Sequence, residues 1–278
     1  MILALDVGNS HIFGGLFVKD DLQVRFRRNS KGEMTSDELG VFLRAVIREW
    51  GFDPAKVKDV AVCSVVPEHH HAIQNCSLKY FQKEPFFLRA GVKTGLKILC
   101  RNPAEVGADR IAAAVGASVL HPGQNLIVTD FGTATTLDVI RQGSEYLGGI
   151  IMPGLRTAME SLVERTAKLP PVEIVVPENM VGRGTTESIQ SGLYYGHYYA
   201  IREMMAHIRR QEFSQEPVIC MGTGGFSRLF EKAGLFDDIQ ADLVLQGLHH
   251  TLKLNRSKNA QTDSLSSAPA RRLRPQST

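Results

Sequence analysis

Two short stretches carry the residue types needed to hold charged phosphates. In "LALDVGNSHIFGGLF" (3–17) an apolar run ends at Asp6, passes through Gly8, Asn9 and Ser10, and turns apolar again. In "LIVTDFGTATTLDVI" (126–140) the pattern returns with Asp130, Gly132, Thr133, Thr135 and Thr136. A glycine turn after a strand lets backbone N–H groups approach a ligand with no side chain in the way. Such N–H groups, with short hydroxyl and amide side chains beside them, are good donors to phosphate oxygens. A carboxylate at the same place repels phosphate unless a cation lies between, and Mg²⁺ prefers carboxylate, water and phosphate oxygen. Two facing tips of this kind describe a clamp on a polyphosphate, although each alone also reads as an ordinary Asp-Gly turn. A third glycine turn, "GTGG" at 222–225, offers Gly222, Gly224 and Gly225 for flat packing against a nucleotide base or sugar. Neither a P-loop nor the protein-kinase glycine loop occurs.

The elements that must position these residues follow from periodicity. Residues 2–7, 12–18 and 22–28 read as strands joined by tight turns. A helix opens at Ser36 or Asp37 and presents Leu39, Phe42, Leu43, Val46 and Ile47 at helical spacing before Trp50-Gly51 ends it. A strand over 57–67, a helix over 69–81 and a short strand over 85–88 come next, then a glycine-led turn into an alanine-rich helix over 105–120. The second hairpin, a strand entering at 146, a helix ending before Pro170, a long helix over 185–210, a strand–turn–helix over 217–230 and a last helix over 243–255 complete the pattern. The expected class is α/β. The internal repeat of the Asp6 hairpin at Asp130 predicts two similarly built halves facing each other across a cleft. The boundaries expected are 1–118, 119–255 and a tail over 256–278 too polar to order itself.

Composition narrows the function classes. The 278 residues carry a net charge of +3 and no basic stripe, which argues against a nucleic-acid partner. The four cysteines are scattered without a metal-ligand spacing, as suits reduced thiols in a cytoplasmic protein. Asp6 interrupts the first apolar run, and no stretch of about 18 apolar residues occurs, so neither a signal peptide nor a membrane span is expected.

The motifs "DVGNS" (6–10), "GADR" (107–110), "DFGTATT" (130–136), "GGIIMPGL" (148–155), "GRGTTESIQSG" (182–192) and "GTGG" (222–225), in this order, resemble those of the type III pantothenate kinases. The resemblance runs from residue 1 to about 255. It implies two ribonuclease-H-like domains of the actin-like ATPase kind and a homodimer. It also implies transfer of the ATP γ-phosphate to the primary hydroxyl of pantothenate, the first step toward coenzyme A, with Mg²⁺ and a monovalent cation, K⁺ or NH₄⁺. By the same resemblance Asp6, Val7, Gly8, Asn9, Ser10, His11, Ile12 and Phe13 form the first ATP phosphate loop, with Asp6 near the metal. Asp130 holds the monovalent cation, Thr133 meets the ATP phosphates, and Asp109 is the general base. Gly107, Ala108, Asp109 and Arg110 contact pantothenate together with Thr185. One position departs: the family's usual tyrosine nine residues before the base is Cys100 here, in the wall of the pantothenate pocket.

The residues leave other readings open. Asp109 can accept a hydroxyl proton, or serve as a helix N-terminal carboxylate paired with Arg110. The free N–H groups of the helix are expected to keep it ionised. Arg110 can clamp a carboxylate bidentately or lie on the surface. Sugar kinases share the same clamps, and a non-catalytic nucleotide-binding factor is a rival of another class. "EHHH" (68–71) reads as an exposed helix start, because consecutive side chains on a helix diverge. Tyr194, Tyr195, Tyr198 and Tyr199 read as core and dimer-interface residues.

Overall fold

The computed structural model describes residues 1–214 and 216–266. The first half opens with β1 (Ile2–Val7), β2 (His11–Val18) and β3 (Asp21–Asn29), followed by helix α1 (Ser36–Glu49). Next come β4 (Asp59–Ser64), α2 (His70–Cys76), the short strands β5 (Phe86–Phe87) and β6 (Lys97–Ile98), and α3 (Ala108–Leu120). The second half holds β7 (Asn125–Phe131), β8 (Ala134–Arg141), β9 (Glu145–Pro153), α4 (Leu155–Arg165) and α5 (Thr185–Glu212). It closes with β10 (Val218–Gly224), β11 (Asp238–Ile239) and α6 (Leu243–Ser266).

The duplication hinted at by the two hairpins extends to whole sheets. The first runs β3-β2-β1-β4-β5, and the second β9-β8-β7-β10-β11 with β6 added at its outer edge. In both series of five, read in the order given, the first two pairings are antiparallel and the next two parallel; the added β6 pairs parallel with β9. β1 and β7 are therefore equivalent central strands, and each ends at its aspartate-bearing tip.

Five layers result. Leu39, Leu43 and Ile47 of α1 and Ile73 of α2 cover one face of the first sheet. Leu155, Met159, Ile189, Leu193 and Ile201 of α4 and α5 cover the far face of the second. Between the sheets lie α3 and α6, whose run Ile111–Ala117 and Leu243, Leu245, Leu248 and Leu252 pack on Ala4 and Ala61 from one sheet and Leu126 and Val128 from the other. The alanine run of α3 lets this helix approach α6 closely. β6, from the first half, pairs with β9 of the second sheet. A division after residue 118 therefore has to be drawn through a layer that both halves share.

Several details differ from the sequence expectations. Thr35, not Ser36 or Asp37, caps α1, with the Glu38 carboxylate returning the bond to the Thr35 N–H. The stretch 69–81 divides into α2 and a wider turn over Ser77–Phe81. The glycine turn after β10 enters a tight 3₁₀ helix, Ser227–Ala233. α6 continues past Asn255 to Ser266, so the first part of the expected disordered tail is helical; residues 267–278 of that tail lie outside the described residues. His69 is buried against the Ser30 carbonyl, 3.0 Å away, rather than exposed. Tyr194 is core, stacked on Phe230, whereas Tyr199 is exposed.

Candidate active site

The two hairpin tips meet. Ser10 Oγ and Thr133 Oγ1 are 3.0 Å apart, joining residues from opposite sheets. The first tip is shaped locally by Gly8 N–H donating to the His11 carbonyl (3.0 Å) and by the Ser30 hydroxyl donating to the Gly8 carbonyl (2.6 Å). The second is tied to the start of α4, where Gly154 N–H and the Thr157 hydroxyl both donate to the Thr133 carbonyl, at 3.1 and 2.7 Å. Val7 and Ile12 are fully buried, so only their backbone faces the tip, while Asn9, His11 and Thr133 are exposed.

Three carboxylates converge electrostatically on this junction. Burial, then the charge of Asp109, pushes Asp6 up to about 7. Burial, then Asp6, Asp109 and Asp138, pushes Asp130 up to about 8. Asp109 is also raised, by burial first, against the Arg110 backbone N–H that its carboxylate accepts at 2.8 Å. Loss of hydration thus outweighs the Arg110 backbone N–H and the Arg110 charge in setting the direction of this shift. Among the described residues none of the three has an ion-pair partner. Asp6 accepts a bond from the Cys63 thiol on the neighbouring strand, at 3.2 Å.

Opposite charge sits at the mouth. The Arg27 guanidinium lies 5.6 Å from the Phe13 ring centre. Partial burial and then Arg27, Arg156 and Lys31 pull the His11 imidazole down. The GTGG turn closes on the same region. Gly224 has φ +85°, and a Cβ there would collide with Asp130 Oδ1. A Cβ on Gly225 would stand 3.6 Å from Arg27. Gly222 is buried under the Phe236 ring, which leaves Gly224 and Gly225 as the accessible part of the turn.

Arg110 does not pair with Asp109. Its Nε donates to Asp138 Oδ1 at 2.9 Å, and Nη2 lies 2.6 Å from the same oxygen. Cys100 sits beside this pair, its thiol raised by burial and exposed to the charges of Arg110 and Asp138. Gly107 and Ala108 form the turn into α3 that carries Asp109 and Arg110. Thr185 is elsewhere in the chain: it opens α5 and lines a groove of about 1040 Å³ between α4 and α5, and none of residues 107–110 lines that groove. Sequence reasoning missed Arg27, Cys63, Asp138 and Tyr146. A signal for Asp138 was present: a carboxylate inside the apolar run "TTLDVI" must have partners if that strand is buried.

Equal strand order in two sheets, with an acidic glycine tip at the end of each central strand, defines the two-domain ribonuclease-H-like architecture of the actin-like ATPases and sugar kinases. A Baf family protein from Campylobacter jejuni, described as a transcriptional activator, matches with a TM-score of 0.58 at 20% identity, covering 92% of this chain and 99% of that one. A protein from Sinorhizobium meliloti described as a 2-dehydro-3-deoxygalactonokinase matches at 0.55 and 11% identity, covering 91% and 99%. The sequence comparisons are narrower. The type III pantothenate kinase family model matches residues 2–207. A type III pantothenate kinase from Legionella pneumophila (strain Corby) is 51% identical over 255 residues, 92% of this chain and 99% of the relative. One from Elusimicrobium minutum is 48% identical over 257 residues, covering 92% and 100%. The chain belongs to the type III pantothenate kinase family.

Proposed function

We propose that the chain transfers the γ-phosphoryl group of ATP to the primary hydroxyl of pantothenate. The junction of the two acidic tips through Ser10 and Thr133 carries this reading, and the relatives' names supply the acceptor. Ser10, Thr133 and the backbone of Gly8 to Phe13 bind the phosphates, and Arg27 and Arg156 face them from the mouth. Gly224 and Gly225 pack against the nucleoside. Asp109 accepts the hydroxyl proton as the new O–P bond forms and the bond to the ADP oxygen breaks. Its raised pKa strengthens it as a base.

The donor set fits hard cations. Three carboxylates without side-chain counterions need positive charge when ionised. Among the described residues no cluster of three His, Cys, Asp or Glu could hold an ion alone, so water and phosphate oxygen would complete the shell, as Mg²⁺ prefers. Asp6 would hold Mg²⁺, and Asp130 the K⁺ or NH₄⁺. Bound there, they neutralise charge on the transferring phosphate.

Thr185 belongs to the pantothenate site in this reading only when a second copy brings it there, which favours a homodimer. Exposed Ile151, Leu162, Met180 and Val181 near the Thr185 groove are suited to such an interface. Among the described residues no helix is long and apolar enough to cross a membrane, and the four free cysteines fit work in the cytoplasm.

The test is ADP release with ATP and Mg²⁺, with and without pantothenate, in K⁺ and then in Na⁺ alone. Pantothenate-dependent turnover that needs K⁺ is expected. Turnover with a sugar but not with pantothenate would overturn the acceptor assignment.

A further inference from the structure

Asp138 is a buried carboxylate in the middle of β8, 1% exposed, and the phosphate machinery does not use it. It faces α3 and gathers donors from three elements. Besides Arg110 Nε and Nη2, the Tyr146 hydroxyl of β9 donates to Oδ1 at 2.5 Å, and the Thr136 hydroxyl donates to Oδ2 at 3.2 Å. The Arg110 guanidinium carbon lies 6.0 Å from the centre of the Tyr146 ring. Gly149 stands opposite Asp138 in the β8–β9 register, and a Cβ there would come 2.8 Å from Arg110 Nη2 and collide with the Leu137 carbonyl. The strand is thus cut away where the guanidinium must lie.

This packing uses the Nε–Nη2 edge of Arg110 and spares Nη1. Nε is committed to Asp138, while Nη2 is buried and lacks a well-aligned hydrogen bond, and Nη1 has no partner among the described residues. The next residue toward the helix N-terminus is Asp109. An arginine free to swing would pair with that carboxylate or with any phosphate nearby. Held by Asp138, it keeps Nη1 in one place.

We propose that Asp138, with Tyr146 and Thr136, is the positioning residue that fixes Arg110 so that its remaining terminal nitrogen, Nη1, receives the acceptor's carboxylate, making the site selective for an acid over a neutral acceptor. This rests on the acceptor reading given above. Asp138 touches no substrate; it acts through Arg110.

The experiment is steady-state kinetics of the full chain, Asp138→Asn and Tyr146→Phe with two acceptors: pantothenate, and its neutral analogue with a hydroxymethyl group in place of the carboxylate. For Asp138→Asn the KM for pantothenate should rise about tenfold or more, with kcat, the KM for ATP and the KM for the neutral analogue within about twofold. Tyr146→Phe, which keeps the charge, should show the same pattern at about threefold. Equal losses on both acceptors, a parallel rise in the KM for ATP, or no change would overturn the proposal. If thermal melting shows Asp138→Asn to be unfolded, Tyr146→Phe decides by the same criteria. A wild-type chain that turns over neither acceptor overturns the kinase reading itself, and is seen before any variant is compared.

Discussion

At the residue scale, the site is built around unneutralised charge. Asp138 has Arg110 as its counterion, whereas Asp6, Asp109 and Asp130 have none among the described side chains. Carboxylates held at about 7 and about 8 when folded bind protons that the unfolded chain has already released. The sign of the linkage follows: between roughly pH 4, the unfolded carboxylate value, and pH 8 these groups make stability fall as pH rises. In EDTA the melting temperature of the wild type should drop from pH 5 to pH 8 more than that of Asp130→Asn, and Mg²⁺ with K⁺ should recover the loss at pH 8. Identical pH slopes for the two proteins would show that Asp130 is already compensated. Asp109→Asn should lower kcat by about 10²–10⁴-fold, the usual worth of a general base, with the melting temperature kept or raised. A near wild-type rate would remove Asp109 from the role of base.

At the scale of elements, turns and caps separate into those that hold the site and those that only hold the fold. Gly224 ends β10 with φ +85°, pressed against Asp130. Gly224→Ala must either strain the backbone by about 1–2 kcal/mol or displace Asp130, so turnover should collapse alongside a modest fall in stability. Thr35 caps α1 on the outer face of the first sheet. Thr35→Ala should lose about 1 kcal/mol of stability with kcat and both KM values unchanged, measured by denaturant melts and the same assay. α3 serves both purposes. Its alanine run packs between the sheets, and its first turn brings Asp109 within electrostatic reach of Asp6 and Asp130 and Arg110 onto Asp138.

At the scale of the whole molecule, the two sheets share the α3–α6 layer, so the tips are positioned by one continuous core rather than by a flexible link. That core leaves apolar surface uncovered beside the Thr185 groove. Val181 is 69% exposed and Met180 56%, large values for apolar side chains grouped beside a groove. For the homodimer proposed above, Val181→Glu together with Met180→Glu should shift the chain from dimer to monomer in sedimentation. On the same proposal it should also raise the KM for pantothenate, because the second copy would no longer supply Thr185. A dimer of unchanged affinity would place the interface elsewhere.

The sequence by itself determined the class of fold and the family. Strand alternation and the repeated Asp-x-Gly tips are local signals, and they carried Asp6, Asp130, Thr133 and the idea of two facing halves. The motif order carried Asp109 and the family. Short edge strands such as β6 and β11 escaped, because two residues hold no period and form only where a neighbouring strand offers its hydrogen bonds. The choice of Thr35 as cap escaped because three adjacent polar residues compete for that place, and only the path of the chain into the helix selects one. Tertiary structure alone decided the partner of Arg110. Its nearest carboxylate in sequence is Asp109, but the side chain reaches from the central layer to a strand of the second sheet, 28 residues away, where Asp138, already desolvated, has the greater need of a charge.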